Sequence, residues 1–257
     1  WIVQSKSFKK YQNIGNPMAS IKRLSEWGSD ELIFLDISKE DKYDLRRDDQ
    51  GYKNSSNYLE LMEEVSKIAF MPITLGGKIS SLSHIEDRLR FGADKVAINT
   101  KAVEDVEFIS KSAIEFGSQC IVVSLDFKKE GDNYFIYTRG GTTKIETPYQ
   151  EVVQRIEDNG CGELLINSID RDGTGMGFDN ELIKSIEKIT SIPIIACGGA
   201  GDWEDFADIL DETNISAISA ANIFHYKDQS VYILKKFLYD NNYNVRKPEL
   251  IKIENHD

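Results

Sequence analysis

Short runs of Ile, Val and Leu recur along the chain. Between them lie longer stretches in which apolar residues return every three or four positions. The runs fall at residues 31–37, 72–75, 95–99, 120–127, 163–166, 192–196 and 215–219. Mostly rich in Ile and Val and four to eight residues long, they read as strands buried on both faces, the mark of a parallel sheet. The amphipathic stretches at 17–27, 58–69, 83–91, 105–116, 148–159, 180–189 and 203–210 are of helix length. Several open on a cap residue or an early proline and close at glycine, as at Phe91-Gly92, Phe116-Gly117 and Asn159-Gly160. Strict strand-helix alternation predicts an α/β domain, either a doubly wound sheet or a closed (β/α)8 TIM barrel.

An internal repeat favours the barrel. The string GSDELIFLD from Gly28 resembles GCGELLINS from Gly160, which sets Glu31 on Glu163, and PITLGG from Pro72 resembles PIIACGG from Pro193. The spacing between copies shortens from the first pair of strings to the second. The first copy therefore carries an insertion, which falls in the polar, aperiodic stretch 39–57 and reads as a long exposed loop. The expected organisation is a single domain over 1–257, built from half-barrels at about 1–117 and 118–257. Two half-barrels imply one strand more than the pattern shows. In the second copy Asp126 closes a strand well before Glu163, and the same distance back from Glu31 passes the first residue. The partner strand is thus expected upstream of Trp1, with 1–8 matching an outer hairpin at 134–147. An open sheet of the visible strands would leave the duplication unexplained.

Composition narrows the partners. Lys and Arg number 31 against 43 Asp and Glu, a net charge of −12, which argues against phosphate-contacting nucleic-acid binding and a basic membrane-surface role. No stretch approaches the roughly 18 consecutive apolar residues of a membrane span. Cys120, Cys161 and Cys197 are odd in number and sit in or beside apolar runs, so reduced core thiols in a cytoplasmic protein are expected rather than a disulfide frame. No histidine pair has metal-ligand spacing and no nucleophile elbow is present, so neither a metal nor a cofactor is expected.

In barrels of this kind ligands sit past the C-terminal ends of the strands. Gly76-Gly77 and Asn99-Thr100 in the first copy, and Gly198-Gly199 and Ala221-Asn222 in the second, are candidate phosphate positions, because glycine lets peptide N–H groups approach an anion. Their pairing through the repeat implies a small substrate with a phosphate at each end. Asp126 ends an apolar strand, as a proton-transfer group or as a cap for the next turn. The run Ser168-Ile-Asp-Arg-Asp-Gly-Thr174 adds Asp172, either as a second proton-transfer group or in a turn in which Asp170 pairs with Arg171, and Gly173 as a candidate substrate-binding position. At the opposite barrel end, Glu31, Lys95 and Glu163 start strands, where charges are costly unless paired. They form either a structural ring or a gate to a passage along the axis.

The strings DELIFLDI, GADKVAINT, FGSQCIVVSLD, GELLINSIDRDGT and PIIACGGAG resemble, in order and over nearly the whole chain, the cyclase subunit family of imidazole glycerol phosphate synthase. The resemblance implies a half-barrel duplication that takes ammonia from a glutaminase partner in a heterodimer. Ammonia would pass through the barrel from its floor to a bis-phosphorylated ribulosyl carboxamide. It further implies that Asp126 and Asp172 are the catalytic carboxylates of this chain, and that Gln119, Asp36 and Asn167 lie around the pocket. On the same basis Gly77, Asn99, Thr100, Gly198 and Gly199 bind phosphate, Glu31, Lys95 and Glu163 form a charged gate, and Asp94 contacts the glutaminase. A second catalytic carboxylate and the fourth gate residue of the family would lie upstream of Trp1. Departures cluster at the substrate face. A loop lysine of the family aligns with Gln4, a third loop glycine with Lys78, two serines with Cys197 and Asn222, and a pocket threonine with Asn167. This pattern is similar to paralogues in surface-polysaccharide (O-antigen) gene sets that help amidate a nucleotide-linked sugar, and it implies a changed acceptor. A divergent histidine-biosynthesis cyclase and an inactive scaffold for the glutaminase are the alternatives.

Overall fold

The computed structural model describes residues 1–39 and 55–252. Most of the expected insertion at 39–57 therefore lies outside the described residues. The chain opens on a two-stranded antiparallel hairpin of β1 (Ile2–Lys6) and β2 (Lys10–Gly15). Then β3 (Leu32–Leu35), β4 (Ile73–Gly76), β5 (Lys95–Ile98) and β6 (Ile121–Glu130) follow, with helices between them. An antiparallel arm of β7 (Asn133–Thr138) and β8 (Thr143–Lys144) extends β6, and β9 (Glu163–Ser168), β10 (Ile194–Cys197) and β11 (Ala217–Ser219) complete the sheet.

Strands β3, β4, β5, β6, β9, β10 and β11 pair in parallel, each with its neighbour in the chain. A doubly wound sheet reverses strand order at a switch point. Here the order runs one way throughout, so the sheet winds in a single sense as a (β/α)8-type barrel does. Among the described residues no strand joins the β3 and β11 edges.

The duplication is visible in the elements themselves. Past β4 comes a glycine pair and the helix Leu82–Arg90; past β10 comes a glycine pair and the helix Glu204–Glu212. Past β5 the short helix Thr100–Glu104 precedes Glu107–Phe116, and past β11 the short helix Ile223–Tyr226 precedes Ser230–Asp240. The opening hairpin is the counterpart of the β7–β8 arm, as expected for 1–8, but it runs on to Gly15.

Side chains alternate between two apolar layers. Val96, Ile98, Ile121, Val123, Leu125, Leu164, Ile166 and Ile194 point out and pack beneath the helices. Ala97, Val122, Leu165 and Ile195 form a separate interior cluster, with Ile33 and Cys197 against it. Strand β6 is buried from Ile121 to Phe127, which is why its sequence shows no polar alternation. Among the described residues no helix is long and apolar enough to cross a membrane.

Candidate functional site

Strand register assembles the C-terminal end of the barrel. Asp126 pairs with Asn167 across β6 and β9, and Cys197 pairs with Asn167 across β10 and β9, so three chemically distinct side chains stand at one level. Asn99 enters from the residue after β5. Its Nδ2 donates to Asp126 Oδ2 at 3.0 Å and to the Ser124 carbonyl at 3.0 Å, while Asn167 Nδ2 lies 3.5 Å from Asp126 Oδ1. Asp126 is only 8% exposed. Burial pushes its carboxyl up to about 7; the two amides oppose the rise and the charge of Asp172 adds to it. A carboxyl that titrates near neutrality can give and take a proton in one turnover. Burial likewise raises the Cys197 thiol to about 11 and the Cys161 thiol to about 12, which keeps both protonated.

Asp172 is gripped by the opening hairpin. Ser5 Oγ donates to its Oδ2 at 2.6 Å, Phe8 N donates to the same oxygen at 3.3 Å, and Ser7 N donates to its carbonyl at 2.9 Å. The turn residues Ser7 and Phe8, in a three-residue hairpin loop, have φ of 51° and 55°, a left-handed pair that strains residues other than glycine. Hydrogen bonds to Asp172 offset that strain. Gly173 brings the two backbones together, since a Cβ there would lie 2.0 Å from the Ser5 carbonyl oxygen. The Asp170–Arg171 pair of the alternative turn reading does not form among the described residues: Asp170 accepts from Lys129 N at 2.7 Å, and Arg171 donates to the Met176 carbonyl. Sequence reasoning singled out neither Ser5 nor Tyr11. The Tyr11 phenol is raised by burial and by the charges of Asp172 and Asp126, so it shares their field.

The four candidate anion positions lie at this same end of the barrel. Gly77 and Gly198 have φ of 91° and 93°, and a Cβ on Gly77 would fall 2.2 Å from the Asp36 carbonyl oxygen. Gly199 presses on the Gly177 backbone in the same way, and Gly76 packs between Leu35 and Ala97. These glycines are demanded by close backbone approach whether or not an anion binds. Thr100 Oγ1 accepts from Arg139 N, and Asn222, next to Ala221, donates to the Ser5 carbonyl. Lys78, which aligns with a third loop glycine of the resembled family, adopts φ 56°, and its ammonium lies 3.4 Å from Asp36. Asp36 also accepts from Ser38 N and Oγ, so its carboxylate is engaged within the β3 and β4 loops.

Gln119 is a correction. It was expected beside the pocket, but it lies exposed in the 3-10 turn Ser118–Cys120 that precedes β6. Asp126 is seven residues further along, and an extended strand rises about 3.3 Å per residue, which puts Gln119 at the opposite end of the barrel.

That end is the floor. Lys95 Nζ sits 2.7 Å from Glu163 Oε1 and 3.1 Å from Glu31 Oε2, bridging strands that are not neighbours and so crossing the interior. Each residue comes from an alternate strand of the barrel, as in one layer of its filling. Glu163 Oε2 is buried without a partner among the described residues. Asp94 is exposed close by, its Oδ2 accepting from Ile73 N at 2.8 Å, beside a shallow cleft of about 400 Å³ lined in part by Phe70 and Pro72. Phe70 is 70% exposed.

Residues 1–230 match the family described as Histidine biosynthesis protein. The chain is 39% identical over 256 residues to a Vibrio vulnificus protein named "Putative imidazole glycerol phosphate synthase subunit hisF2", covering all of this chain and 90% of that protein. It is 37% identical over 245 residues to imidazole glycerol phosphate synthase subunit HisF of Natranaerobius thermophilus, with 95% and 93% covered. The subunit of the same name from Dehalococcoides mccartyi (strain ATCC BAA-2100) is 39% identical over 237 residues, with 92% and 89% covered.

Proposed function

Because the chain belongs to the histidine biosynthesis protein family, we propose that it is the ammonia-using cyclase subunit of an imidazole glycerol phosphate synthase, working with a glutaminase. The single observation that carries this reading is Asp126: a carboxyl buried at the C-terminal mouth and raised to about 7. The protonated carboxyl donates to the ribulosyl carbonyl oxygen as nitrogen adds, and the carboxylate then takes a proton from the added nitrogen. Asp172 is the second group, and Tyr11 and Ser5 shape its surroundings. The anion loops hold the two phosphates. The Glu31–Lys95–Glu163 layer admits ammonia from below, and Phe70, Asp94 and Gln119 belong to the face that meets the glutaminase.

Purified protein supplied with ammonium salts and the bis-phosphorylated ribulosyl carboxamide is expected to release imidazole glycerol phosphate; no product would overturn the cyclase reading. Lys95→Met separates the floor from the mouth. Glutamine-dependent synthesis with the glutaminase is expected to fall about tenfold while ammonium-dependent synthesis stays within about twofold. Equal losses in both assays would remove the gate role.

A second reading, a paralogue that delivers nitrogen to a nucleotide-linked sugar, is favoured by where the departures sit. Gln4, Lys78, Asn167, Cys197 and Asn222 all stand at the mouth, whereas the floor keeps its three charges. This paralogue would bind the glutaminase and leave the ribulosyl substrate untouched. A scaffold would do the same and be indifferent to Asp126→Asn in any nitrogen transfer.

A further inference from the structure

Arg88 is a cation where the fold needs none. It lies on Leu82–Arg90, facing inward, and is 7% exposed. Counting equally from Gly77 and from Gly198, the matching residue of the other half-barrel is Ile209, which is 0% exposed. The duplicated architecture thus closes this position with a plain aliphatic side chain. Burying a guanidinium instead costs desolvation, and Arg88 Nε has no hydrogen-bond partner among the described residues.

Its other nitrogens show what the charge does. Nη2 donates to the Gly77 carbonyl at 2.6 Å, and Nη1 donates to the His84 carbonyl at 2.7 Å. The guanidinium stacks over the Tyr58 ring at 5.7 Å, and Tyr58 Oη donates to the Phe34 carbonyl at 2.9 Å. Arg88 therefore ties the loop after β4 to its own helix, and through Tyr58 to β3. In a trans peptide the C=O and the following N–H point in opposite directions. The Gly77 carbonyl is drawn outward to the helix layer, so the Lys78 N–H is aimed inward, toward the barrel axis. Left-handed φ at both Gly77 and Lys78 accompanies this orientation, and at Lys78 it is held against side-chain strain.

We propose that Arg88 is the positioning residue of the first anion loop: by holding the Gly77 carbonyl it fixes the Lys78 N–H toward the mouth and makes this loop unlike its partner at Gly198-Gly199. A substrate with a phosphate at each end meets two related loops in a pseudo-twofold barrel, and Arg88 gives one of them a fixed orientation. The inference rests on the reading of these loops as phosphate sites.

The test uses the full chain and inorganic phosphate as the probe, following the Lys78 and Gly199 amides by NMR, with Arg88→Met and Arg88→Lys compared. In Arg88→Met, phosphate affinity read at Lys78 is expected to weaken roughly tenfold or more, with Gly199 unchanged. Arg88→Lys, which keeps one donor, is expected to restore part of it. A merely structural arginine would lower the melting temperature and leave both affinities as they were, which would overturn the proposal. Phosphate shifts at neither loop in the unaltered protein would instead overturn the phosphate reading of the loops, on which the proposal stands.

Discussion

Asp126→Asn is expected to lower ammonium-dependent turnover by about 10²–10⁴-fold, the range for removing a general acid–base group, while raising the melting temperature at neutral and higher pH. The two effects have one cause. In the folded chain the carboxyl titrates at about 7 because it is buried, whereas unfolded it titrates near the ordinary aspartate value of 3.8. Between these values the folded state holds a proton that the unfolded state has lost. The stability this group contributes is therefore complete below about pH 4, falls as pH rises, and is gone once pH has passed through 7. A shift of about three pKa units corresponds to roughly 4 kcal/mol, which the uncharged asparagine does not lose. Urea midpoints of both proteins at pH 5 and pH 8 check the sign. The gain from the substitution should be larger at pH 8, and a variant that is less stable than the parent at pH 8 would show that the carboxylate is not desolvated. The rate of the unaltered enzyme should show an inflection near pH 7. Asn167→Ala should move it upward, since that amide opposes the rise.

The other large expected effect comes from a position without a side chain. Gly173→Ala places a methyl group 2.0 Å from the Ser5 carbonyl oxygen at a residue with φ 65°. Neither strain can relax without lifting the hairpin from the loop, and lifting it takes Ser5 Oγ and Phe8 N away from Asp172. A loss of about 2–4 kcal/mol in stability is expected, with turnover falling beyond the loss in folded protein. Asp172→Asn separates the contributions. It keeps the backbone approach and changes only the carboxylate, so it should lose rate with a smaller loss of stability.

Most of the parallel strands were legible because their Ile, Val and Leu residues run nearly without interruption, a pattern that marks strands covered on both faces, as along Ile121 to Phe127. Strand β2 was not, for an equally physical reason. Lys10–Gly15 is mostly exposed and polar, and what holds it is pairing with β1 together with the grip of that hairpin on the distant Asp172. The helix Ser230–Asp240 also escaped notice, since Gln229 precedes it with a left-handed φ of 52° and no capping hydrogen bond, leaving no start signal. Asp126 could be found because an ionisable residue closing an apolar strand is conspicuous. Gln119 was misplaced although the chain direction held the answer: a residue that precedes a barrel strand stands at the floor. Arg88 occupies a core position of an amphipathic helix beside Ile85, and only the packed carbonyls of Gly77 and His84 reveal why a cation sits there.

The hairpin's attachments also bear on how the chain acquires its structure. Neighbouring barrel strands join segments a few tens of residues apart, and these can condense early. Ser5 instead bonds Asp172 across 167 residues and Asn222 across 217. Loop closure over such separations is entropically unfavourable until the intervening chain is compact, so the hairpin is expected to dock in the final stage. In a refolding time course, helical circular dichroism should recover first, and competence for turnover should lag behind it by the time the hairpin needs to seat on Asp172.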